Sequence, residues 1–128
     1  MKTKLQCLAL LTLLLTVAGC VSTSTNQALG VPTFPPTDPA SVQILTTPPT
    51  RPHVRLGEIQ AVPPSDGTAA AKITAALQKA GAKLGADAVV IVSDRNQVTG
   101  ALVTGPWYGR SVQAIDQRVI VGVAIKYQ

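Results

Sequence analysis

Only one stretch of this 128-residue chain reads as a helix of ordinary length, and that limit decides the fold class. Residues 65–85, SDGTAAAKITAALQKAGAKLG, are dominated by alanine. They place Ala69, Ile73, Ala76, Leu77, Ala80 and Leu84 on one face at helical spacing. Ser65 or Asp66 is the expected N-terminal cap, and Gly85 follows the last periodic residue as a stop. Around the helix lie segments with strand character. SVQILTT (41–47) alternates in period two and ends at Pro48-Pro49. HVRLGEIQAV (53–62) also alternates, but its parity slips at Gly57, which predicts a β-bulge there. ADAVVIVSD (86–94) and QRVIVGVAIKY (117–127) are apolar, β-rich runs that read as buried strands. One helix can cover one face of a sheet. The expectation is therefore α+β: a two-layer fold, one helix packed on a small, mostly antiparallel sheet, in the order β-β-α-β-β.

The last two strands carry apolar residues on both parities. Val90 and Val92 oppose Val89 and Ile91, while Val119, Val121, Val123 and Ile125 oppose Ile120 and Ala124. Strands of this kind expect cover on both faces. The second face calls either for residues 95–116, a long hairpin arm or loop folded back as a lid, or for another chain. Trp107 and Tyr108, framed by Gly105-Pro106 and Gly109 within that segment, are then part of the lid or part of a partner site. Self-association or binding of a protein partner is the expectation.

The N-terminus has a different character. Lys2 and Lys4 precede a run from Leu5 to Ala18 that is apolar apart from Gln6, Thr12 and Thr16. This is the layout of a secretory signal, and the run is shorter than the ~20 residues that span a bilayer. It ends in Val17-Ala18-Gly19-Cys20, which resembles the bacterial lipobox. That resemblance implies cleavage between Gly19 and Cys20, a diacylglycerol on the Cys20 thiol, and a further acyl chain such as palmitate on its new N-terminus. Membrane attachment is then through the N-terminal lipid, with several chains giving a stable anchor. Val21 stands where aspartate resembles an inner-membrane retention signal in enterobacterial lipoproteins. The implied location is the periplasmic face of the outer membrane.

Three segments follow: a lipoprotein signal peptide at 1–19, a lipidated cysteine with a Pro/Ser/Thr-rich tether at 20–40, and a small α+β domain at 41–128. The tether has four prolines, no hydrophobic period and one charge, Asp38. Such a composition favours extended conformations, and at roughly 3.1 Å per residue the tether could hold the domain up to ~60 Å from the membrane. Cys7 leaves with the signal and Cys20 takes the lipid, so the mature domain has no disulfide. Loss of Lys2 and Lys4 leaves nine basic residues against six acids, a net of +3. Nothing in that balance calls for nucleic acid.

At KLGADAVVIV (83–92) a helix ending in Leu-Gly-Ala-Asp-Ala-Val-Val runs straight into a strand. This junction, with LGEI upstream and GVAIKY at the end, resembles small bacterial envelope domains. They include the outer-membrane lipoprotein sensor of the Rcs stress phosphorelay and the YbjQ-like domains described as heavy-metal binding. The resemblance covers residues 41–128 at most and implies an α+β packing unit. The chain departs from the sensor, whose domain is held by disulfides, in having no cysteine pair in the mature part.

Catalytic chemistry finds little material. His53 is the one histidine, whereas a transition-metal site generally needs three or four ligands. The six carboxylates are scattered, and Asp87, just before a strand, is expected to bond nearby backbone amides. GPWYG (105–109) lacks the strand–loop–helix setting of a phosphate loop. No catalytic residue, cofactor or metal site is assigned. Two surface features are left. Lys72, Lys79 and Lys83 fall within about 40° on the helix, which has no acid to balance them, and they read as a solvated face or as a contact for anionic head groups. Trp107-Tyr108 reads as a contact anchor. The combined expectation is a non-enzymatic, lipid-anchored envelope protein acting through protein or envelope contacts, in stress sensing or maintenance. The alternatives are a periplasmic small-ligand or metal-binding module, or a purely structural lipoprotein.

Overall fold

The computed structural model describes residues 19–128. The expectations for Lys2, Lys4, Cys7 and the 5–18 run, with Val17 and Ala18 of the lipobox, fall outside the described residues. Among the described residues the elements run β1 (Ser22–Gln27), a short 3-10 turn (Pro39–Ser41), β2 (Gln43–Leu45), β3 (His53–Val62), α1 (Ala70–Lys83), β4 (Ala88–Thr104) and β5 (Ser111–Tyr127). The fold is α+β, with one helix on a mixed five-stranded sheet of spatial order β1-β3-β5-β4-β2. The expected order β-β-α-β-β is corrected at its start by the additional strand β1. The sheet pairs antiparallel everywhere except β2–β4, which is parallel.

The topology explains where the helix lies. β3 and β4 each run antiparallel to the β5 strand between them, so they are parallel to each other. A parallel pair needs a crossover connection, and α1 supplies it across the face of β5. Its buried face, Ile73, Leu77, Ala80, Gly81 and Ala82, meets Leu56, Ile59 and Ala61 of β3, Val89 of β4, and Ile120 and Ala124 of β5. Leu77 is wholly buried, at 0% exposure. A leucine in such a site contributes about 2–5 kcal/mol relative to alanine.

The helix begins later than its sequence period predicts. Ala69 is the N-cap residue and supplies no side-chain bond. Ser65 and Thr68 instead close a turn of their own, with Thr68 N–H and Oγ1 both donating to the Ser65 carbonyl at 3.1 and 2.8 Å. Short hydroxyl side chains compete with the helix for local backbone groups, and here that competition removes one turn. At the other end the expected stop holds. Gly85 has φ +75, a conformation that L side chains rarely adopt. The bulge also holds: the β3–β5 register shifts between Arg55 and Gly57.

The largest departure concerns residues 20–40. Expected as a free tether, they run back along the body. β1 pairs with β3 from Ser22↔Val62 to Gln27↔Gly57. Gly57 is what permits this approach, since a Cβ there would sit 2.5 Å from the Asn26 carbonyl oxygen. Val21, Val31 and Phe34 pack against the main core. Thr37 N–H donates to the Ala82 carbonyl and its Oγ1 to that of Ala86, at 2.9 and 3.0 Å. The prolines of the segment, at 32, 35, 36 and 39, all follow β1, so none of them interrupts the ladder.

Part of the second face of the sheet is covered by the chain's own side chains. Ala88, Val90 and Ile125 form a small buried cluster with Leu45, Val123 and Tyr127 against it. The Arg51 guanidinium lies 4.5 Å from the Tyr127 ring centroid. The 95–116 segment does not fold over this face. It continues the β4–β5 ladder outward to Thr104↔Ser111.

Two outcomes test this packing. A chain starting at residue 41 melts roughly 5 °C or more below one starting at residue 21, since it lacks β1 and the apolar contacts of Val21, Val31 and Phe34. Equal midpoints in calorimetry would restore the free tether. Gly85→Ala destabilises the chain by more than about 1 kcal/mol in urea unfolding, because it forces a positive φ. Its Cβ would also meet the Phe34 Cβ and the Pro35 carbonyl oxygen at 2.7 Å.

Candidate functional site

The hairpin arm grows out of the body because β4 and β5 are longer than the helix can cover. β4 and β5 are each 17 residues long, and only their roots, around 88–91 and 119–127, are packed. Beyond Val98 the ribbon is exposed on both faces. From Val98 to Ile115 its one charged residue is Arg110. Val98, Leu102, Val103, Val112 and Ile115 are all large, apolar and exposed. A second register shift, between Val98 and Gly100, bends the ribbon midway along. At its end Thr104 and Ser111 share a hydroxyl contact of 2.8 Å. Gly105 turns the chain at φ +101, and the Gly109 N–H donates to the Pro106 carbonyl at 3.0 Å.

This turn presents Trp107 and Tyr108 as an edge-to-face pair, with ring centroids 5.6 Å apart. They are 83% and 77% exposed. The reading of these residues as part of an internal lid is therefore corrected. A two-stranded ribbon is marginal by itself, and this one is clamped at its root. Arg118 Nε and one terminal nitrogen donate to the two Asp94 carboxylate oxygens at 2.8 and 2.7 Å. These hydrogen bonds, and secondarily the opposite charge, hold the Asp94 carboxyl below its ordinary range, partly opposed by desolvation. The same bonds raise Arg118.

A second surface lies on the outer side of α1. Lys72, Lys79 and Lys83 are exposed there. Gly19, Cys20 and Val21 lie against it, lining with Lys72, Ala75, Ala76 and Lys79 a shallow depression of about 330 Å³ whose surface is mainly apolar. The structure thus brings Cys20 together with two of the three stripe lysines. Trp107 and Tyr108 stand apart from this group, at the tip of the arm.

Asp87 and Lys126 are spent on structure. Asp87 accepts from the Tyr127 N–H at 3.0 Å, as its position before a strand predicts, and from Lys126 Nζ at 3.4 Å. Lys126 Nζ also donates to the Gly85 carbonyl at 3.3 Å and lies 5.2 Å from the Phe34 ring centroid. His53 is exposed, with Nδ1 2.7 Å from the Arg51 carbonyl. Among the described residues no three His, Cys, Asp or Glu side chains are gathered as a metal site would need. A shallow, open polar cleft is lined by Ser41, Gln43, Arg51, Asp87, Tyr127 and Gln128, and the sequence did not indicate it.

Sequence reasoning also missed the Asp94–Arg118 clamp. Its signal was faint: in a hairpin turning between Trp107 and Tyr108, Arg118 falls opposite Asn96, and Asp94 is its diagonal neighbour. The meeting of Cys20 with Lys72 and Lys79 had no such signal, because it depends on β1.

No protein-family model and no curated protein matches the chain. Among solved structures, the Francisella virulence factor FvfA, in an orthorhombic crystal form, is similar in fold at 13% sequence identity. The likeness covers 81% of this chain and 96% of that one, with a TM-score of 0.52.

The clamp sets a pH response. A carboxylate whose pKa is depressed on folding adds stability above its unfolded value, and that contribution fades as pH falls through the folded value. Protection of the arm amides against hydrogen exchange should thus decline below about pH 4. Asp94→Asn should lower that protection at neutral pH and flatten the acid decline. An arm equally protected in both proteins would leave the ion pair without a role.

Proposed function

We propose that this is a non-enzymatic, lipid-anchored protein of the bacterial envelope, held at the periplasmic face of the outer membrane through Cys20. It acts by contacts of the hairpin arm, in envelope stress sensing or maintenance. The observation that carries this reading is the arm: an apolar ribbon with one charge over 18 residues, ending in an exposed aromatic pair. Exposed aromatics on a pre-formed turn lose little freedom on binding, which is why such residues anchor interfaces. The ribbon edges are a further attraction, since unpaired strand edges recruit other strands. The partner is a second copy of the chain or another envelope protein.

The anchor is supported by the lipobox-like Val17-Ala18-Gly19-Cys20 and by the exposure of Cys20 at the start of the folded body. The likeness of the KLGADAVVIV junction to the Rcs sensor and YbjQ-like domains agrees with an envelope setting. A small-ligand module is the alternative, and it would use the cleft of Arg51, Asp87 and Tyr127. Its mark would be a thermal midpoint raised by the ligand.

Two variants separate the components of this reading. Cys20→Ala abolishes labelling by fatty acid and membrane fractionation. Trp107→Ala with Tyr108→Ala leaves the thermal midpoint nearly unchanged, since both rings are exposed, but removes the crosslinked species formed by the lipidated protein in native envelopes. Unchanged crosslinking, or a large fall in the midpoint, would refute the arm as a contact surface.

A further inference from the structure

The position of the anchor relative to the fold has a consequence for how the domain sits. Ser22, two residues after Cys20, is already paired with Val62, and Val21 packs against the core. No slack separates the cysteine from the body. Cys20 lies in the depression with Lys72, Ala75, Ala76 and Lys79, so acyl chains on it leave the molecule at the outer face of α1. That face carries three lysines and the helix carries no acid. Lysines beside the point where acyl chains enter a bilayer lie well within the Debye length, ~10 Å at 0.1 M salt, of the head-group phosphates. Alanines at 75 and 76 keep the surface between the two lysines low, so the helix can lie flat.

We propose that the outer face of α1 is a membrane-docking surface, with Lys72 and Lys79 seated on the anionic phospholipid head groups of the bilayer that holds the anchor. Lys83 adds charge at the margin of the same face. This rests on the lipid-anchor reading of Cys20 and replaces a domain held off the membrane by one resting on it. The helix then faces lipid, and the arm is left free for other contacts. The ligand is the phosphate of an anionic phospholipid, and the attraction is screened by salt.

The test uses the lipidated full-length protein inserted into pre-formed vesicles, either phosphatidylcholine alone or with phosphatidylglycerol added. A membrane-impermeant amine reagent reports each lysine by mass spectrometry. Lys126, engaged with Asp87 and the Gly85 carbonyl, serves as the internal reference. The expected result is several-fold slower modification of Lys72 and Lys79 on phosphatidylglycerol vesicles than on phosphatidylcholine vesicles. High salt should remove the difference, and Lys126 should react alike on both. In a protein carrying Lys72→Glu and Lys79→Glu, Lys83 should lose its own protection. Equal modification on both vesicle types, with diacylglyceryl present on Cys20 and the protein retained, overturns docking and leaves the anchor standing. A protein without lipid on Cys20 that is not retained overturns the anchor, and docking with it.

Discussion

The rest of the molecule depends on how closely one helix seats on three strands. Gly122 of β5 lies under Val89, and a Cβ at 122 would approach the Val89 Cγ1 to 2.6 Å. Gly81 of α1 makes the matching allowance from above, since a Cβ there would come within 2.7 Å of the Val89 Cγ2. The two glycines let Val89 fill the space between layers while Leu77 is sealed beside it. Among the described residues this seat gathers the main buried apolar cluster, and dispersion contacts there carry much of the stability. The same close contact fixes where α1 ends, and hence where Gly85, Phe34 and the N-terminal segment meet.

Much of this was legible in the sequence. The β3 span, the bulge at Gly57, the stop at Gly85 and the two long apolar strands follow from period, parity and glycine position. Those signals all report side chains that choose a face. β1 was invisible for the same reason. Ser22–Gln27 is polar throughout and exposed at every position, and it is held to β3 by main-chain hydrogen bonds. A strand that buries none of its own side chains leaves no hydrophobic period to read. The expectation of a free tether followed directly, and with it the separation of Cys20 from the lysines. The late helix start has another origin, the Ser65–Thr68 turn, in which two cap-forming residues satisfy each other.

The two surfaces of the molecule are built on opposite physical grounds. On α1, charge is concentrated on a well-packed helix whose buried side is fully engaged. On the arm, charge is nearly absent and the backbone extends beyond the reach of the core. A helix of 14 residues spans about 21 Å, whereas strands of 17 residues reach about 55 Å. The arm is the excess of strand over helix, steadied at its base by Asp94 and Arg118. Its tip is therefore the region of the fold whose shape the core controls least directly and the aromatic pair controls most.

The β1–β3 pairing also decides how the chain yields to a pull at its N-terminal end. A pull at Cys20 loads six residue pairs whose side chains offer no apolar lock. They can separate in succession from Ser22, each freed residue adding about 3.3 Å of reach. The peel meets a firmer stop farther along the chain, where Phe34 is packed into the core and Thr37 is bonded to Ala82 and Ala86. Under load the N-terminal end of the described chain would thus lengthen by a set increment and then hold, with the core unbroken.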